Sequence, residues 1–490
     1  MWLILILLLL GLLAYLDTRK PKNFPPGPAW LPFVGCALQL YRLHLKTGHL
    51  TKATQVLAAR YGSLVGTRVG REHLVFVCGL EAIEEMFTRE EFNARPDGIL
   101  ATSRTGGRRR GILFTDSKLF QDQRRFVQKQ LKEFGFRKEV MSENIDRGAR
   151  AIIDDVKKKT NRNGVVAVNS LFAEQLLQTT WALLAGNESF LDDSEVRELH
   201  RAMENFSRCA TVSGTAFSNF PFLKRICPEY CGYNAYVNAH KNILEFARRK
   251  IHGLRKPTVR LSLIGAYLEV LSGPEKTDNF DEEQLLAICL DLFLTGFETL
   301  QHALEFAIFY LVLHPDVQRK AQKELDGVVG SGRLPSLEDK PRLPYIESIT
   351  METIRLYGGR SFLVPRRATR DTTFNGYFIP KGTILLGSLR SVFMDPNGRW
   401  ANPSVFDPER FLKDGNLNVP SDFIPFALGK RRCLGEILAR ANLFLILACL
   451  LQTFNFKAVP GNPPKLEIIE NLSPTLKPFK AVVSLRKPVN

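Results

Sequence analysis

The sequence predicts one mainly α-helical domain with a minor β-sheet, carried on an N-terminal membrane anchor. Three observations lead there. From about residue 50 onward, apolar residues recur at three- and four-residue steps over long stretches, as in SENIDRGARAIIDDVKKKT and EEQLLAICLDLFLTGFETLQHALEFAIFYLVL. Alternating apolar runs are few and short: SLVGTRVG, HLVFVCG and TFNGYFIPKGTILLGS, each with Gly or Pro at its turns. The chain also opens on an uninterrupted apolar segment. Its 490 residues alone suggest roughly three domains, but no break in composition, repeat or low-complexity tract divides them.

Residues 1–16, MWLILILLLLGLLAYL, carry no charge, and cations begin where the apolar run stops, in DTRKPK. A full span takes ~17–25 apolar residues, and a cleavable signal has a small-residue cleavage site. This run is slightly short for the first and lacks the second. It reads as an uncleaved signal anchor whose flank, Arg19, Lys20 and Lys22, is held in the cytosol together with the body. Residues 17–35 form a basic, Pro-rich linker that cannot be helical and is expected to set the body away from the bilayer. Residues 36–490 then make the globular domain.

The eight cysteines lie at 36, 78, 209, 227, 231, 289, 433 and 449, mostly isolated in apolar surroundings, which suits buried thiols in a reducing compartment. Cys227 and Cys231 with His240 do not complete a zinc spacing. The sequons at Asn187, Asn205 and Asn471 are silent in a cytosolic body. A net charge of +17 calls for a partner or surface. GGRRRG at 106–111 has neither aromatic interleaving nor a nucleic-acid-binding signature, so it reads as a solvated loop and nucleic acid is not expected. An acidic protein or an anionic membrane remains open.

The most specific segment is FALGKRRCLG, residues 426–435. A nucleophilic Cys433 would want a histidine base, and none of the eight histidines follows His314. A thiolate ligand fits better. Lys430, Arg431 and Arg432 are expected to depress the thiol pKa, the flanking glycines let backbone amides approach the sulfur, and a helix starts just after it. One thiolate from one loop builds neither a zinc nor an iron–sulfur site, so the other ligands must come from a cofactor, and haem supplies four nitrogens.

Here the chain resembles the cytochrome P-450 family over nearly its whole length. Phe426, Gly429, Arg431, Cys433 and Gly435 complete the pattern F-x-x-G-x-R-x-C-x-G. Glu352 and Arg355 in METIRLY form the E-x-x-R pair, and Arg410 in FDPERF is its third member. Alone, such a helix pair is worth ~0.2–0.5 kcal/mol. As a buried charge network that holds the haem-binding core, it would cost ~3–5 kcal/mol on loss of one partner. TGFET at 295–299 resembles A-G-x-[DE]-T, with Thr295 in place of alanine. Gly296, about 1 kcal/mol poorer than alanine in a helix, would open room over the iron, and Glu298 and Thr299 would relay protons to dioxygen. The bland alternative is a packing glycine and a threonine bonded back to the Thr295 carbonyl. LFQDQRRF resembles W-x-x-x-R, with Phe120 at the tryptophan position. Arg124, Arg366 and Arg431 would pair the haem propionates.

The resemblance implies a single haem domain on the P-450 fold, with haem b (iron protoporphyrin IX) bound through Cys433 as axial ligand. It implies a microsomal monooxygenase of the endoplasmic reticulum membrane that inserts one oxygen atom from O2 into a lipophilic molecule as a hydroxyl or an epoxide. Electrons would come from NADPH through a separate cytochrome P-450 reductase meeting Arg125, Lys129 and Lys132, with cytochrome b5 as a further partner. The pocket would be lined by residues 95–115, by Met203 and Phe206, by Asp291–Phe297 including Phe297, by Phe362 and Val364, and by Thr475. The entrance segment resembles arthropod members, leaving a sesquiterpenoid or steroid hormone and a xenobiotic open as substrates. A reductase-independent isomerase or peroxide-rearranging enzyme, and a membrane haem protein without turnover, also remain open.

Overall fold

The computed structural model describes residues 2–135, 138–186, 189–209, 215–254, 262–274, 276–471 and 473–486; Asn187, one of the three sequons, lies outside them. Helix α1 (Trp2–Asp17) is apolar along its length and buries none of its residues. Its last residue is tied to the body: the Asp17 carboxylate accepts from Arg68 Nη2 and from the Phe33 N–H, both at 2.7 Å, and its carbonyl accepts from Arg68 Nη1 at 2.7 Å.

The segment that follows does not stand off from the body. Phe24 and Trp30 are buried, the Gly66 N–H donates to the Pro26 carbonyl at 2.8 Å, and the Phe378 N–H donates to the Asn23 carbonyl at 2.7 Å. Contact is so close that a Cβ at Gly27 would lie 1.9 Å from the Gly66 oxygen. The prolines that exclude a helix also stiffen the segment, so it loses little entropy on docking.

The main sheet starts with strands β1 (Leu64–Val69) and β2 (Glu72–Val77), antiparallel with Leu64 opposite Val77. It is completed some 300 residues later by β3 (Arg366–Arg367) and β4 (Ile384–Gly387), in the order β1-β2-β4-β3. Strand β4 runs parallel to β2, Leu74 opposite Ile384, and antiparallel to β3, Arg366 opposite Leu385. A second sheet joins residues 165–167, 454–458 and 480–485. A short hairpin pairs β5 (Ile468–Glu470) with β6 (Pro474–Leu476).

The helices that position the site are α2 (Ser117–Gln130), α3 (Lys138–Asn163), α4 (Asp193–Cys209), α5 (Tyr233–Gly253), α6 (Glu282–Leu313), α7 (Pro344–Gly358) and α8 (Glu436–Thr453). Helices α6 and α8 are long and apolar enough to cross a membrane, yet both are mostly buried within the body and pack on α7 and on each other. Asp281 caps α6 by accepting the Gln284 N–H. Helix α5 lies against both α4 and the first half of α6. Midway, α6 widens into one π-helical turn, Phe293–Phe297, which contains most of TGFET.

Candidate active site

The cysteine loop closes on itself before α8 begins. The Cys433 N–H donates to the Phe426 carbonyl at 2.9 Å and the Arg432 N–H to the Gly429 carbonyl at 3.0 Å. Gly429 has φ +71°, and a Cβ there would lie 2.5 Å from the Phe87 carbonyl, so the position demands glycine for conformation and for space. The thiol receives the Gly435 N–H, at the residue that caps α8, where the positive end of the helix dipole favours a thiolate.

Of the three flanking cations, Arg432 alone acts on the thiol in the expected direction, and only weakly. Although Cys433 is solvent-exposed as a residue, the protein crowded around its sulfur pushes the thiol up, opposed by the Gly435 amide and more weakly by Arg124 and Arg432. Lys430 pairs with Glu90, and Arg431 is directed away to Asp116 at 3.0 Å and to the carbonyls of Thr115 and Asn93 at 2.7 and 3.0 Å. A run of cations in a tight loop points its side chains in different directions, so adjacency in sequence does not become adjacency to the sulfur.

Four guanidinium groups gather beside this loop. Arg366 is buried, donates from Nη1 to Asn93 Oδ1 at 3.1 Å, and leaves its Nε without a partner. Burial, then Arg431 and Arg124, pushes it down to about 9; burial likewise takes Arg431 to about 10. Arg124, lowered by burial, donates to the Arg432 carbonyl at 2.6 Å and interacts with Cys433. The fourth, Arg95, escaped the sequence reading. It is buried, donates to the carbonyls of Leu113, Val364 and Pro365 at 2.8–3.1 Å, and is lowered by burial, Arg366 and Arg431. Its signal was a cation before a proline in the otherwise uncharged run FNARP. Phe120 finds a use of its own: the Arg431 guanidinium lies 3.3 Å from its ring centroid, held face-on in place of an indole hydrogen bond.

Beneath the loop, Glu352 is fully buried. It accepts from Arg355 Nε and Nη2 at 2.7 and 2.8 Å, from Arg410 Nε at 3.2 Å and from the Asp407 N–H at 3.0 Å. Arg355 also donates to the carbonyls of Phe393 and Pro403 at 2.7 and 2.9 Å. The three residues spaced across 352–410 thus form one satisfied network joining α7 to the PERF turn.

In the π turn, Thr295 and Gly296 are exposed although Phe293, Leu294, Phe297 and Glu298 around them are buried. A Cβ on Gly296 would meet nothing within 4 Å. Thr295 Oγ1 donates to the Asp291 carbonyl at 2.7 Å and Thr299 Oγ1 to the Thr295 carbonyl at 2.6 Å, so both hydroxyls bond back to the helix. Glu298 accepts from Ser207 Oγ at 2.9 Å, and burial pushes its carboxyl up to about 7.

Asp291 does not line a pocket. Fully buried, it pairs with Arg104 and accepts the N–H groups of Ile112 and Leu113 at 2.7 and 2.9 Å, pinning the 104–113 loop to α6. A Cβ at Gly111, φ +82°, would lie 2.1 Å from its carboxylate. Met203, Phe206 and Phe297 are likewise buried, Phe206 edge-on to His240 at 5.0 Å and Phe297 edge-on to His200 at 6.4 Å. Phe362 and Thr475 are half-buried, and Val364 is exposed.

The donor set fits haem. A thiol held by an amide, open space beside Gly296, and four arginines with an unpartnered buried Nε suit an iron porphyrin with two carboxylates.

The family model described as cytochrome P-450 matches residues 25–483. Among curated relatives, the probable cytochrome P-450 303a1 of Drosophila melanogaster is 35% identical over 483 residues, covering 96% of each chain. The farnesoate epoxidase of Bombyx mori is 34% identical over 494 residues, covering 99% of this chain and 98% of that one. Cytochrome P-450 2J2 of Homo sapiens is 30% identical over 485 residues, covering 96% and 94%.

Proposed function

The chain belongs to the cytochrome P-450 family and is a monooxygenase with haem-thiolate iron as its cofactor, and from that premise we propose that it adds one oxygen atom to a lipophilic sesquiterpenoid, most simply as an epoxide. The relative named farnesoate epoxidase supports this reading. A steroid or xenobiotic is the competing substrate.

The observation that carries the mechanism is the exposed Thr295–Gly296 pair in a π turn of an otherwise buried helix, in the same chain as an amide-held Cys433. Haem b, if bound there, would supply the iron at which dioxygen is activated. Cys433 would hold the iron as a thiolate, and Gly435 together with the α8 terminus would stabilise its negative charge. Arg95, Arg124 and Arg366 would hold the propionates, while Arg431 braces Asp116 and the 112–116 turn. Gly296 leaves room for the oxygen molecule. Thr299 turns from the Thr295 carbonyl to pass protons, and Glu298, with a carboxyl near 7, exchanges them at neutral pH. Helix α1 anchors the body at the endoplasmic reticulum membrane, with the body on the cytosolic side. The exposed Arg125, Lys129 and Lys132 receive the acidic face of the NADPH-dependent reductase, and cytochrome b5 is a second donor.

With reductase and NADPH, a panel of sesquiterpenoid acids and esters, steroids and xenobiotics read by mass spectrometry should give a singly oxygenated product from the sesquiterpenoids first. Turnover of the steroids alone would reject that substrate class. Thr299→Ala should keep its haem and its carbon monoxide spectrum while diverting NADPH consumption to hydrogen peroxide. Equal product per NADPH in mutant and wild type would show that the hydroxyl only bonds its own helix.

A further inference from the structure

Helix α6 carries an unexpected line of buried polar groups beyond the π turn: Glu298, His302 and Glu305, all at most 5% exposed. Glu305 is partnered locally, by Gln301 Nε2 at 2.8 Å and Asn169 Nδ2 at 3.1 Å. Glu298 is partnered across the fold. Ser207, in the last turn of α4, donates to its Oε1 at 2.9 Å. The same serine oxygen accepts from Asn471 Nδ2 at 3.4 Å, that amide also reaches Thr475 Oγ1 at 3.4 Å, and Thr475 Oγ1 lies 3.4 Å from His302 Nε2. Three elements remote in sequence, α4, α6 and the β5–β6 hairpin, therefore meet at one polar cluster. Apolar side chains would join them without the desolvation cost of a buried carboxyl, so a structural role alone does not account for the choice of residues.

We propose that Ser207 is a positioning residue for Glu298: its hydroxyl holds the carboxyl toward α4 and makes the proton supply of the site depend on α4 and the β5–β6 hairpin being docked on α6. This rests on the reading of Glu298 as a proton-exchanging group. Burial raises the Glu298 carboxyl to about 7, and the Ser207 hydroxyl, by donating to it, favours the ionised form. The other groups facing this region leave that balance to the serine. Tyr357 of α7 is itself pushed up by burial and by Glu298, His302 one turn along α6 is held near 4 by burial, and Asn471 and Thr475 are uncharged. Among the described residues, no charged side chain of the packed helices α7 and α8 shifts Glu298. Without the α4 contact the carboxyl would lose its donor and take up a proton more readily; with it, the proton is easier to release.

The test uses the full-length haem-loaded protein with Ser207→Ala, Ser207→Thr, Ser207→Cys and Glu298→Gln, each first checked by its carbon monoxide spectrum. Infrared spectroscopy across pH follows the carbonyl stretch of the protonated carboxyl, assigned as the band that Glu298→Gln removes. Ser207→Ala should move its midpoint upward by about one pH unit. Ser207→Thr should restore it, and Ser207→Cys, a weaker donor of similar size, should fall between. Product per NADPH should drop in Ser207→Ala and recover in Ser207→Thr. An unchanged midpoint in the alanine and cysteine variants overturns the assignment to Ser207. A shifted midpoint with product per NADPH unaltered in both Ser207→Ala and Glu298→Gln overturns instead the proton-exchange reading on which the proposal rests.

Discussion

Cys433→Ala protein should fold, because the loop is closed by backbone bonds from Cys433 to Phe426 and from Arg432 to Gly429 that need no thiol, but it should lose all turnover and the whole of the red-shifted Soret band that a thiolate gives the ferrous–carbon monoxide complex. The effect is expected to be complete because the other seven cysteines lie in other segments: Cys36, Cys78, Cys231, Cys289 and Cys449 are buried, burial pushes Cys78, Cys289 and Cys449 up to about 12, and the half-buried Cys209 and Cys227 lie at the end of α4 and in the 223–232 segment. Cys433→Ser, which keeps an oxygen at the Gly435 amide, should also lack the band. Retention of the band in either variant would remove Cys433 from the axial position.

Glu352→Gln should be the most destabilising single change in the described core. The carboxylate accepts from two arginines and a backbone amide, and both it and Arg355 are fully buried. Neutralising it strands the Arg355 guanidinium in a low-dielectric interior at a cost of about 3–5 kcal/mol. Set against a typical total stability of ~5–15 kcal/mol, that is enough to deplete the folded state at growth temperature. The variant should be recovered with little haem and a markedly lower unfolding temperature. Replacing the exposed Lys118, the cation paired with Asp122, should change stability by less than ~1 kcal/mol. Thermal unfolding of the two variants side by side checks the contrast, and similar losses in both would mean that the Glu352 network is not a buried charge site.

Much of this molecule was legible because its chemistry is local in sequence. Cys433 lies within ten residues of the glycines and the helix start that define its environment, and Glu352 with Arg355 is a single helical turn. The long helix announced itself by period, and the polar residues inside it by their cost. What escaped depends on contacts between distant segments. The Pro-rich stretch 17–35 reads as a spacer, yet it docks because Gly27 and Gly66 permit backbone contact at a separation no local pattern records. Adjacency in sequence assigns Arg431 to the thiol, but Asp116, some 300 residues earlier, holds it elsewhere. Asp291 looks like a pocket wall until the 104–113 loop is seen to close over it. The π turn had no signature beyond Gly296, since one extra residue in a turn leaves the apolar period nearly intact.

The most direct measurement of the monooxygenase assignment is the origin of the oxygen in the product. Purified protein, reductase, NADPH and a sesquiterpenoid substrate under isotopically heavy dioxygen should give a product carrying one heavy oxygen atom, with none incorporated from labelled water in the converse experiment. Product formed without NADPH, or carrying no label from dioxygen, would contradict the account and identify the chain as a rearranging member of its family.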